Sequence, residues 1–204
     1  MEIVIVIFFS YLSGSIPFGL LLTKIFTNKD IRKIGSGNIG ATNVLRSGNK
    51  ILAALTLFLD IAKGYFPIAV TKVHFPEFIE LSCLTCFLGH VFSIWLKFKG
   101  GKGVATYLGI LFALSYQLSF LFIFTWLVVS LIFKYASISS IFSSLTVLSV
   151  TLIKVNALKS FGLSIDDNET NLILILFIFF ILIIFTHKKN ISNLKNKTEP
   201  KIKL

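Results

Sequence analysis

The sequence predicts an all-α integral membrane protein with seven transmembrane helices, and three observations support this class. Of the 204 residues, 55% are hydrophobic and only 14% are charged, whereas soluble domains contain about 25% charged residues. The mean hydropathy is +0.86. The apolar residues also lie in long runs separated by short basic loops, which is typical of a chain that crosses a bilayer several times.

Five apolar runs are long enough to cross the hydrocarbon core, which takes about 20 helical residues. They cover residues 3–25, 51–73, 78–96, 136–153 and a terminal run near 172–185. The first run has no basic segment before it and is too long for a signal peptide, so we expect a retained span. Within it, Gly14-Ser15-Ile16-Pro17-Phe18-Gly19 predicts a kink, because Pro17 removes a helix hydrogen bond.

Residues 104–133 form a further run without a charged residue. As a single helix this run would be ~45 Å long, which exceeds the ~30 Å hydrocarbon core. The polar stretch Ser115-Tyr116-Gln117 lies near its middle and offers a turn. The run is therefore either one steeply tilted span or a hairpin of two short spans.

The distribution of charge favours seven spans over six. With seven spans, one side of the membrane holds most of the 20 Lys and Arg residues, including the C-terminal tail, but only two acids, Asp30 and Glu199. The opposite side holds Lys72, Lys154, Lys159, Glu2, Glu77, Glu80, Asp166, Asp167 and Glu169. The positive-inside rule then places the N-terminus outside and the C-terminus in the cytoplasm. We expect a single domain over residues 1–204, with a partly disordered basic tail over 190–204.

Two pairs of residues inside the apolar runs require separate interpretation. Asp60 and Lys63 are three apart and share a helix face, where they can pair. They form either a structural ion pair or a charge that faces the functional site, and the sequence leaves both open. Cys83 and Cys86 form a CxxC motif, but no second pair accompanies it, so we interpret them as small residues on a helix face. We predict no metal site.

The loop after the first span carries most of the functional information. It combines glycines, which let backbone N–H groups approach a ligand, with neutral polar side chains and an arginine. These candidate ligand residues are Gly35, Ser36, Gly37, Asn38, Gly40, Thr42, Asn43 and Arg46. Arginine offers a planar fork suited to phosphate. We therefore predict an anion-binding loop, with a flexible polar linker as the alternative.

A second glycine-rich basic stretch joins the third span to the next run. It consists of Lys99, Gly100, Gly101, Lys102 and Gly103. Glycines before a helix N-terminus favour anions, because backbone donors and the helix dipole both attract negative charge. The stretch is not a Walker A loop, since glycine rather than Ser or Thr follows the lysine, and a nucleotide triphosphatase is not expected. For Lys97 and Lys99, the sequence leaves two roles open with equal weight. They bind an anion, or they set the topology and contact lipid headgroups.

The C-terminal tail adds His187 and Asn190, which are three apart where the last span reaches the predicted cytoplasmic face. On a helix they would share a face. A histidine in that position can act as a general base, although an interfacial histidine more often faces lipid headgroups. We include both residues among the candidate catalytic groups.

Four sequence blocks together resemble one protein family. They are residues 14–19, residues 35–46, Asp60-x-x-Lys63-Gly64, and residues 89–106 with the string FKGGKGVAT. They are similar to the bacterial acyl-phosphate:glycerol-3-phosphate acyltransferases, the PlsY family. The chain departs from the family pattern at Ser93, Asn193 and Lys197, where proline, arginine and glycine are usual.

The resemblance implies a reaction in which an acyl group moves from acyl-phosphate to the 1-hydroxyl of sn-glycerol 3-phosphate. Lysophosphatidic acid and phosphate would be the products of this first acylation step of phospholipid synthesis. The implied partners are both substrates, membrane lipids and a peripheral enzyme that forms acyl-phosphate; no cofactor and no nucleic acid are implied. The implied location is the bacterial cytoplasmic (inner) membrane, with the active site facing the cytoplasm.

The resemblance also suggests roles for the candidate residues. Ser36, Arg46 and Lys102 would hold the phosphate of glycerol 3-phosphate. Four further side chains would orient the glycerol hydroxyl and the acyl-phosphate, namely Thr42, Asn43, His187 and Asn190. Glycines of the first loop would donate backbone hydrogen bonds to a phosphate or to the developing oxyanion. The general base is either His187 or a phosphate oxygen of the substrate.

Three other functional classes fit the sequence less well. A transporter of phosphorylated solutes should place polar groups at mid-bilayer on broken helices, often within inverted repeats. Other glycerolipid acyltransferases carry an H-x-x-x-x-D motif, but the fifth residues after the three histidines are Ile79, Trp95 and Ser192. A metal-dependent alcohol phosphotransferase would need an Asp-rich cluster, which the sequence lacks.

Overall fold

The computed structural model describes residues 1–164 and 167–202, and these residues form helices, turns and loops without a strand. The helices are α1 (Glu2–Ser15), α2 (Phe18–Thr27), α3 (Ala41–Arg46), α4 (Lys50–His74), α5 (Ile79–Val91), α6 (Val104–Leu114), α7 (Tyr116–Phe133), α8 (Ala136–Ser160), α9 (Asp167–Thr186) and α10 (Lys188–Lys195). Short 3-10 turns cover Ile31–Lys33, Pro76–Phe78 and Ile94–Leu96.

The predicted all-α membrane class is confirmed. Six helical segments are long and apolar enough to cross a membrane, and α6 is a shorter apolar helix, so the seven predicted segments are all present as helices. The orientation of the termini stays a prediction. Asp166, one of the acids in the charge count, lies outside the described residues, as do residues 203–204 of the tail.

The long apolar run after residue 103 is divided, as the hairpin alternative requires. Helix α6 ends at Leu114, Ser115 is extended with φ −160° and ψ 119°, and α7 begins at Tyr116. Helix α6 has 11 residues, and a helix of that length rises about 17 Å. That is short of the ~30 Å hydrocarbon core. Helix α6 is correspondingly buried, with Tyr107, Ile110 and Leu111 fully enclosed.

Contacts between residues divide the chain into two compact units, Met1–Ser115 and Tyr116–Leu204. In the first unit, α1 packs against α5, and α4 packs against α5, α6 and α1. In the second unit, α8 packs between α7 and α9. The assignment of residues 1–204 to a single domain stays a prediction.

Helices of the first unit approach each other at glycines. A Cβ on Gly14 would collide with the backbone of Cys86, and one on Gly89 would collide with the Tyr11 carbonyl, so α1 and α5 are in backbone contact. Gly64 of α4 meets the backbone of Thr106 in the same way. Small residues permit this close packing of helices in lipid, where dispersion contacts must replace the hydrophobic effect. Cys83 and Cys86 are buried free thiols on α5, as interpreted from the sequence.

The first transmembrane segment is broken at the predicted kink. Helix α1 ends at Ser15, and α2 begins at Phe18. Between them, Ile16 is extended with φ −60° and ψ 119°. Pro17 has no N–H to donate to the preceding turn, which is why the helix stops there. The carbonyls on the N-terminal side of the break therefore need other partners.

Candidate functional site

The first loop comprises residues 34–46, between α2 and α4. Two of its three glycines adopt the left-handed backbone conformation that favours glycine. Gly35 has φ +57° and Gly37 has φ +72°. Gly40 does not, because it lies at φ −79° and precedes the first residue of α3 in an extended conformation. A Cβ on Gly35 would also lie 3.5 Å from Cδ of Arg46, so this loop glycine adjoins the arginine side chain.

Asn43 holds the first loop in shape. Its side chain is 2% exposed. Its Nδ2 lies 3.1, 2.9 and 2.7 Å from the carbonyl oxygens of Ile31, Ile34 and Asn38, respectively. Its Oδ1 accepts a hydrogen bond of 2.9 Å from the backbone N–H of Ser36. These bonds make Asn43 a positioning residue of the loop, while its predicted catalytic contact with substrate stays a prediction.

Two glycine N–H groups of the first loop donate to other atoms of the same loop. The N–H of Gly37 donates to the Ile34 carbonyl at 3.0 Å. The N–H of Gly40 donates to Oδ1 of Asn38 at 3.1 Å. The loop is therefore preformed by its own hydrogen bonds. Ser36, Thr42 and Arg46 are partly exposed. Their contacts with a ligand, like those of the glycine amides, stay predictions.

The second loop comprises residues 99–103 and folds back onto the C-terminal end of α5. The N–H groups of Gly100 and Gly101 donate to the carbonyls of Val91 and His90 at 2.9 and 3.1 Å. A Cβ on Gly100 would collide with the His90 carbonyl, and one on Gly101 would collide with the His90 ring. Two glycines are thus required for close packing. The His90 ring is fixed in turn, because its Nδ1 lies 3.1 Å from Oγ1 of Thr106.

The predicted lysines differ in their setting within this second loop. Lys99 is exposed, and Lys102 is half-buried next to the start of α6. Gly103 precedes α6 with φ +80°, a left-handed conformation that glycine adopts without strain. The predicted arrangement of a basic glycine-rich turn leading into a helix N-terminus is therefore present.

Both loops attach to the break between α1 and α2. The Ser93 hydroxyl, at the start of the segment that leads into the second loop, donates to the Ser15 carbonyl at 2.6 Å. On the other side of the break, a Cβ on Gly19 would collide with the Ile39 carbonyl, so the first loop rests directly on α2. The structure thus brings the two predicted anion-binding loops to neighbouring positions on one helix break.

The backbone conformation at Ser93 explains how serine can replace the proline that is usual in the family pattern. Its φ of −61° and ψ of 124° match the conformation that a proline ring imposes. The usual proline would therefore fit this backbone. Serine keeps the same backbone geometry and adds the hydrogen bond to Ser15.

Asp30 and Arg32 form a hydrogen-bonded ion pair ahead of the first loop. Nε and Nη2 of Arg32 donate to the Asp30 carboxylate at 2.9 and 2.7 Å. These side-chain hydrogen bonds, supported by the Arg32 backbone N–H, lower the pKa of Asp30 to about 2. A depressed pKa stabilises the fold above the usual carboxyl range, and this contribution is lost only as the pH falls towards 2. Asp30 is therefore ionised at neutral pH, and its negative charge offsets the positive charge of Arg32.

The remaining predicted site residues lie in the second unit. His187 is 2% exposed. Its Nδ1 lies 2.8 Å from the Ile183 carbonyl. A carbonyl can only accept, so Nδ1 carries a proton in this contact. Asn190 donates to Oε1 of Glu199 at 2.6 Å.

Glu199 connects the tail to α8 within this second unit. The Ser137 hydroxyl donates to its Oε1 at 3.1 Å, and Nδ2 of Asn193 lies 3.4 Å from its Oε2. Asn193 therefore still directs a donor at the carboxylate. Lys197 lies at φ +58°, the left-handed region, which explains why glycine is usual at that position.

In the described ranges, no group of three or more His, Cys, Asp or Glu side chains is placed to hold a metal ion. What these residues offer is a pair of preformed loops whose half-exposed cationic and polar side chains suit an anion.

Comparisons with known proteins agree with this chemistry. Residues 4–197 match the sequence profile of a family described as Glycerol-3-phosphate acyltransferase. A curated glycerol-3-phosphate acyltransferase of Pelagibacter ubique (strain HTCC1062) is 52% identical, with 100% of both chains covered. One of Mesorhizobium japonicum is 44% identical, over 98% of this chain and 96% of the relative.

The chain belongs to the glycerol-3-phosphate acyltransferase family. The fold agrees: a crystal structure of PlsY (YgiH), an integral membrane glycerol 3-phosphate acyltransferase, in its glycerol 3-phosphate form has a TM-score of 0.85. It is 32% identical, and the match covers 100% of this chain and 96% of PlsY. The lysophosphatidic acid form of PlsY gives a TM-score of 0.83 at 31% identity, over 98% of this chain and 95% of PlsY. The resemblance seen in the sequence is confirmed, and the chain is an integral membrane acyltransferase.

Several residues that shape the two loops were not predicted from the sequence. His90 and Ser93 support the second loop, and Gly19 allows the first loop to rest on α2. His90, Gly19 and Ser93 lie inside blocks that resemble the family. Their contacts join segments far apart in the sequence, so spacing alone does not reveal them.

We expect the replacement of Asn43 by Asp to disrupt the first loop although the two side chains have the same shape. The carboxylate would place an acceptor against three carbonyl oxygens, and leaving buried groups unpaired costs about 1–3 kcal/mol each. The measurements are the Tm of the purified enzyme in detergent micelles and its affinity for glycerol 3-phosphate.

The matched control for this prediction is Asn49→Asp. Asn49 caps α4 through Oδ1 alone, which accepts from the Leu52 N–H, and a carboxylate can replace that acceptor. A Tm of Asn43→Asp equal to that of Asn49→Asp would contradict the positioning role of Asn43.

Proposed function

We propose that this acyltransferase moves an acyl group from acyl-phosphate to the 1-hydroxyl of sn-glycerol 3-phosphate. The observation that carries the proposal is the attachment of two preformed, glycine-rich basic loops to one helix break. Two substrates that each bear a phosphate need two anion sites, and the chain offers one in each loop. The related PlsY crystal structures in glycerol 3-phosphate and lysophosphatidic acid forms support the same acceptor and product.

The phosphate of glycerol 3-phosphate is held mainly by side chains in this proposal. The amides of Gly37, Gly40, Gly100 and Gly101 donate inside the protein. Ser36, Arg46 and Lys102 therefore supply the donors and the positive charge that balance the phosphate. Lys99 adds a more exposed cation for the second anionic substrate. The glycines contribute by making the loops compact enough to direct these side chains.

The transfer step requires positioning more than acid assistance. The glycerol 1-hydroxyl oxygen forms the new ester bond to the acyl carbon, and the bond from that carbon to the phosphate oxygen breaks. An acyl-phosphate is a mixed anhydride with a good leaving group, and the hydroxyl proton passes to a general base as phosphate departs. Alignment of two bound reactants can supply about 7–11 kcal/mol of barrier reduction. The preformed loops suit this kind of catalysis.

The general base is either His187 or a phosphate oxygen of a substrate. The hydrogen bond from Nδ1 of His187 to the Ile183 carbonyl fixes the orientation of the ring, which supports the first candidate. Asn190 and Thr42 would orient the reacting groups. We also propose that the site faces the cytoplasm from the bacterial inner membrane, where soluble glycerol 3-phosphate and a peripheral acyl-phosphate-forming enzyme would meet it.

The reaction itself is tested with the purified enzyme by measuring phosphate release from an acyl-phosphate. We expect release to depend on added glycerol 3-phosphate and to equal the lysophosphatidic acid formed. The same assay with acyl-CoA as donor should give no product. Product formation from acyl-CoA at a comparable rate would contradict the proposed donor.

Arg46→Ala should weaken the binding of glycerol 3-phosphate. The loss of hydrogen bonds from a charged donor predicts an increase in KM of about 10–100-fold. Steady-state kinetics provide the measurement, and Arg32→Ala is the control because Arg32 is committed to Asp30. If both variants had the same KM, the assignment of the phosphate to Arg46 would be wrong.

His187→Ala separates the two candidates for the base. If His187 is the base, kcat falls by about 100-fold or more and the acidic limb of its pH profile disappears. A variant that retains nearly full kcat with the wild-type pH profile would assign the proton to the substrate phosphate. Phe185→Ala, which removes an exposed side chain in the last turn of α9, is the control for local disturbance of this helix.

A further inference from the structure

A proline in α4 leaves the backbone carbonyl of Lys63 without its helical hydrogen bond. Pro67 lies inside this helix and cannot donate a hydrogen bond to the carbonyl four residues earlier, which belongs to Lys63. That carbonyl instead accepts from the Ser13 hydroxyl at 3.3 Å and from the Cys86 thiol at 3.4 Å. The backbone of α4 is therefore tied to α1 and α5 at the level of Lys63.

The side chain of Lys63 is buried and reaches the helix break. Its ammonium lies 2.8 Å from Oδ1 of Asp60, and both side chains are 3% exposed. It donates a hydrogen bond of 2.5 Å to the Ile16 carbonyl and lies 5.6 Å from the centre of the Phe18 ring. One ammonium thus binds a carboxylate on its own helix and a carbonyl in the break between α1 and α2.

The Ile16 carbonyl needs such a donor because of the break. In a continuous helix it would accept from the N–H four residues later, but here its backbone partner is the Phe18 N–H, through a short-range bond of 3.1 Å. Unsatisfied carbonyls are costly within a bilayer, and broken helices persist there only where the protein supplies partners. Lys63 supplies one for Ile16, and Ser93 supplies one for Ser15.

The same break carries both anion-binding loops. The first loop rests on α2 at Gly19, and the segment leading into the second loop is bonded to α1 at Ser15. The angle and position of the break therefore determine where each loop lies. A group that fixes the break acts on the loops without touching a substrate.

We propose that Lys63 is a positioning residue for the active site, acting through its hydrogen bond to the Ile16 carbonyl. Asp60 anchors the ammonium on α4. The ion pair is then not simply a means of burying two charges, nor a charge that faces the substrate. Its function is to hold a donor at the break, and so to set the geometry of both loops.

The test compares two variants that both abolish the ion pair. Asp60→Asn removes the carboxylate but leaves the Lys63 amine able to donate to Ile16. Asp60→Asn combined with Lys63→Met removes both charges and also the donor. Neither variant leaves a buried carboxylate unpaired, which Lys63→Met alone would do.

We expect the double variant to lose kcat/KM by about 10–100-fold relative to Asp60→Asn, because small displacements of positioned groups cost that much. Hydrogen exchange should rise in peptides that cover residues 14–20 and 35–46, and should stay unchanged in α8. Equal kcat/KM and equal exchange for the two variants would overturn the proposal and reduce the pair to charge compensation. Should the double variant not fold, Asp60→Asn with Lys63→Gln replaces it, since the shorter amide keeps polarity but not the reach to Ile16.

The inference rests on the proposed role of the loops in phosphate binding, so the two are tested separately. Titration with glycerol 3-phosphate of Arg46→Ala and Lys102→Ala examines the loops directly. If these variants bind like the wild type, the loop assignment fails. If they lose affinity while the double variant binds and turns over like Asp60→Asn, the loop assignment holds and only the role of Lys63 fails.

Discussion

The break between α1 and α2 imposes the constraint on which the first unit depends. A helix interrupted inside a bilayer exposes carbonyl groups that water cannot reach, and each needs a donor from the protein. Ser15 and Ile16 receive theirs from Ser93 and Lys63. These donors come from different parts of the chain, so satisfying the break also ties α4 and the approach to the second loop to α1. A local disruption thereby organises distant segments.

The loops that depend on this break are rigid because their own polar groups satisfy one another. Asn43 uses both ends of its amide, and the glycine N–H groups donate to nearby carbonyls or to Asn38. A preformed loop loses little entropy when a ligand arrives, which favours binding and alignment. The N–H groups of Gly37, Gly40, Gly100 and Gly101 already have partners within the protein. The contacts that the sequence predicts between the first-loop glycines and a ligand stay a prediction.

The sequence predicted features that depend on local chemistry. The apolar runs predicted the positions of the spans, and Pro17 predicted the position of the break. The polar residues around Ser115 predicted where the long apolar run divides. Gly35 and Gly37 adopt positive φ, whereas Gly40 is extended. The assignment of Asn43 to chemistry with substrate stays a prediction. Its hydrogen bonds to neighbouring backbone groups could not be predicted, because they depend on the folded path of the loop. The hydrogen bond from Lys63 to Ile16 could not be predicted either. Helical spacing shows which face of α4 carries Lys63, but it does not show which residue of another segment lies opposite.

The departures from the family pattern show which property of each position matters. At Lys197 a non-glycine residue adopts the left-handed backbone conformation for which glycine is usual, so the turn is retained at the cost of some strain. At Asn193 a neutral donor still faces Glu199. Ser93 keeps the backbone angles of the usual proline and gains a hydroxyl, which proline cannot offer, for the Ser15 carbonyl. A proline there would leave that carbonyl to find another donor. In this chain the break is therefore held from two directions, by α4 through Lys63 and by the second loop through Ser93.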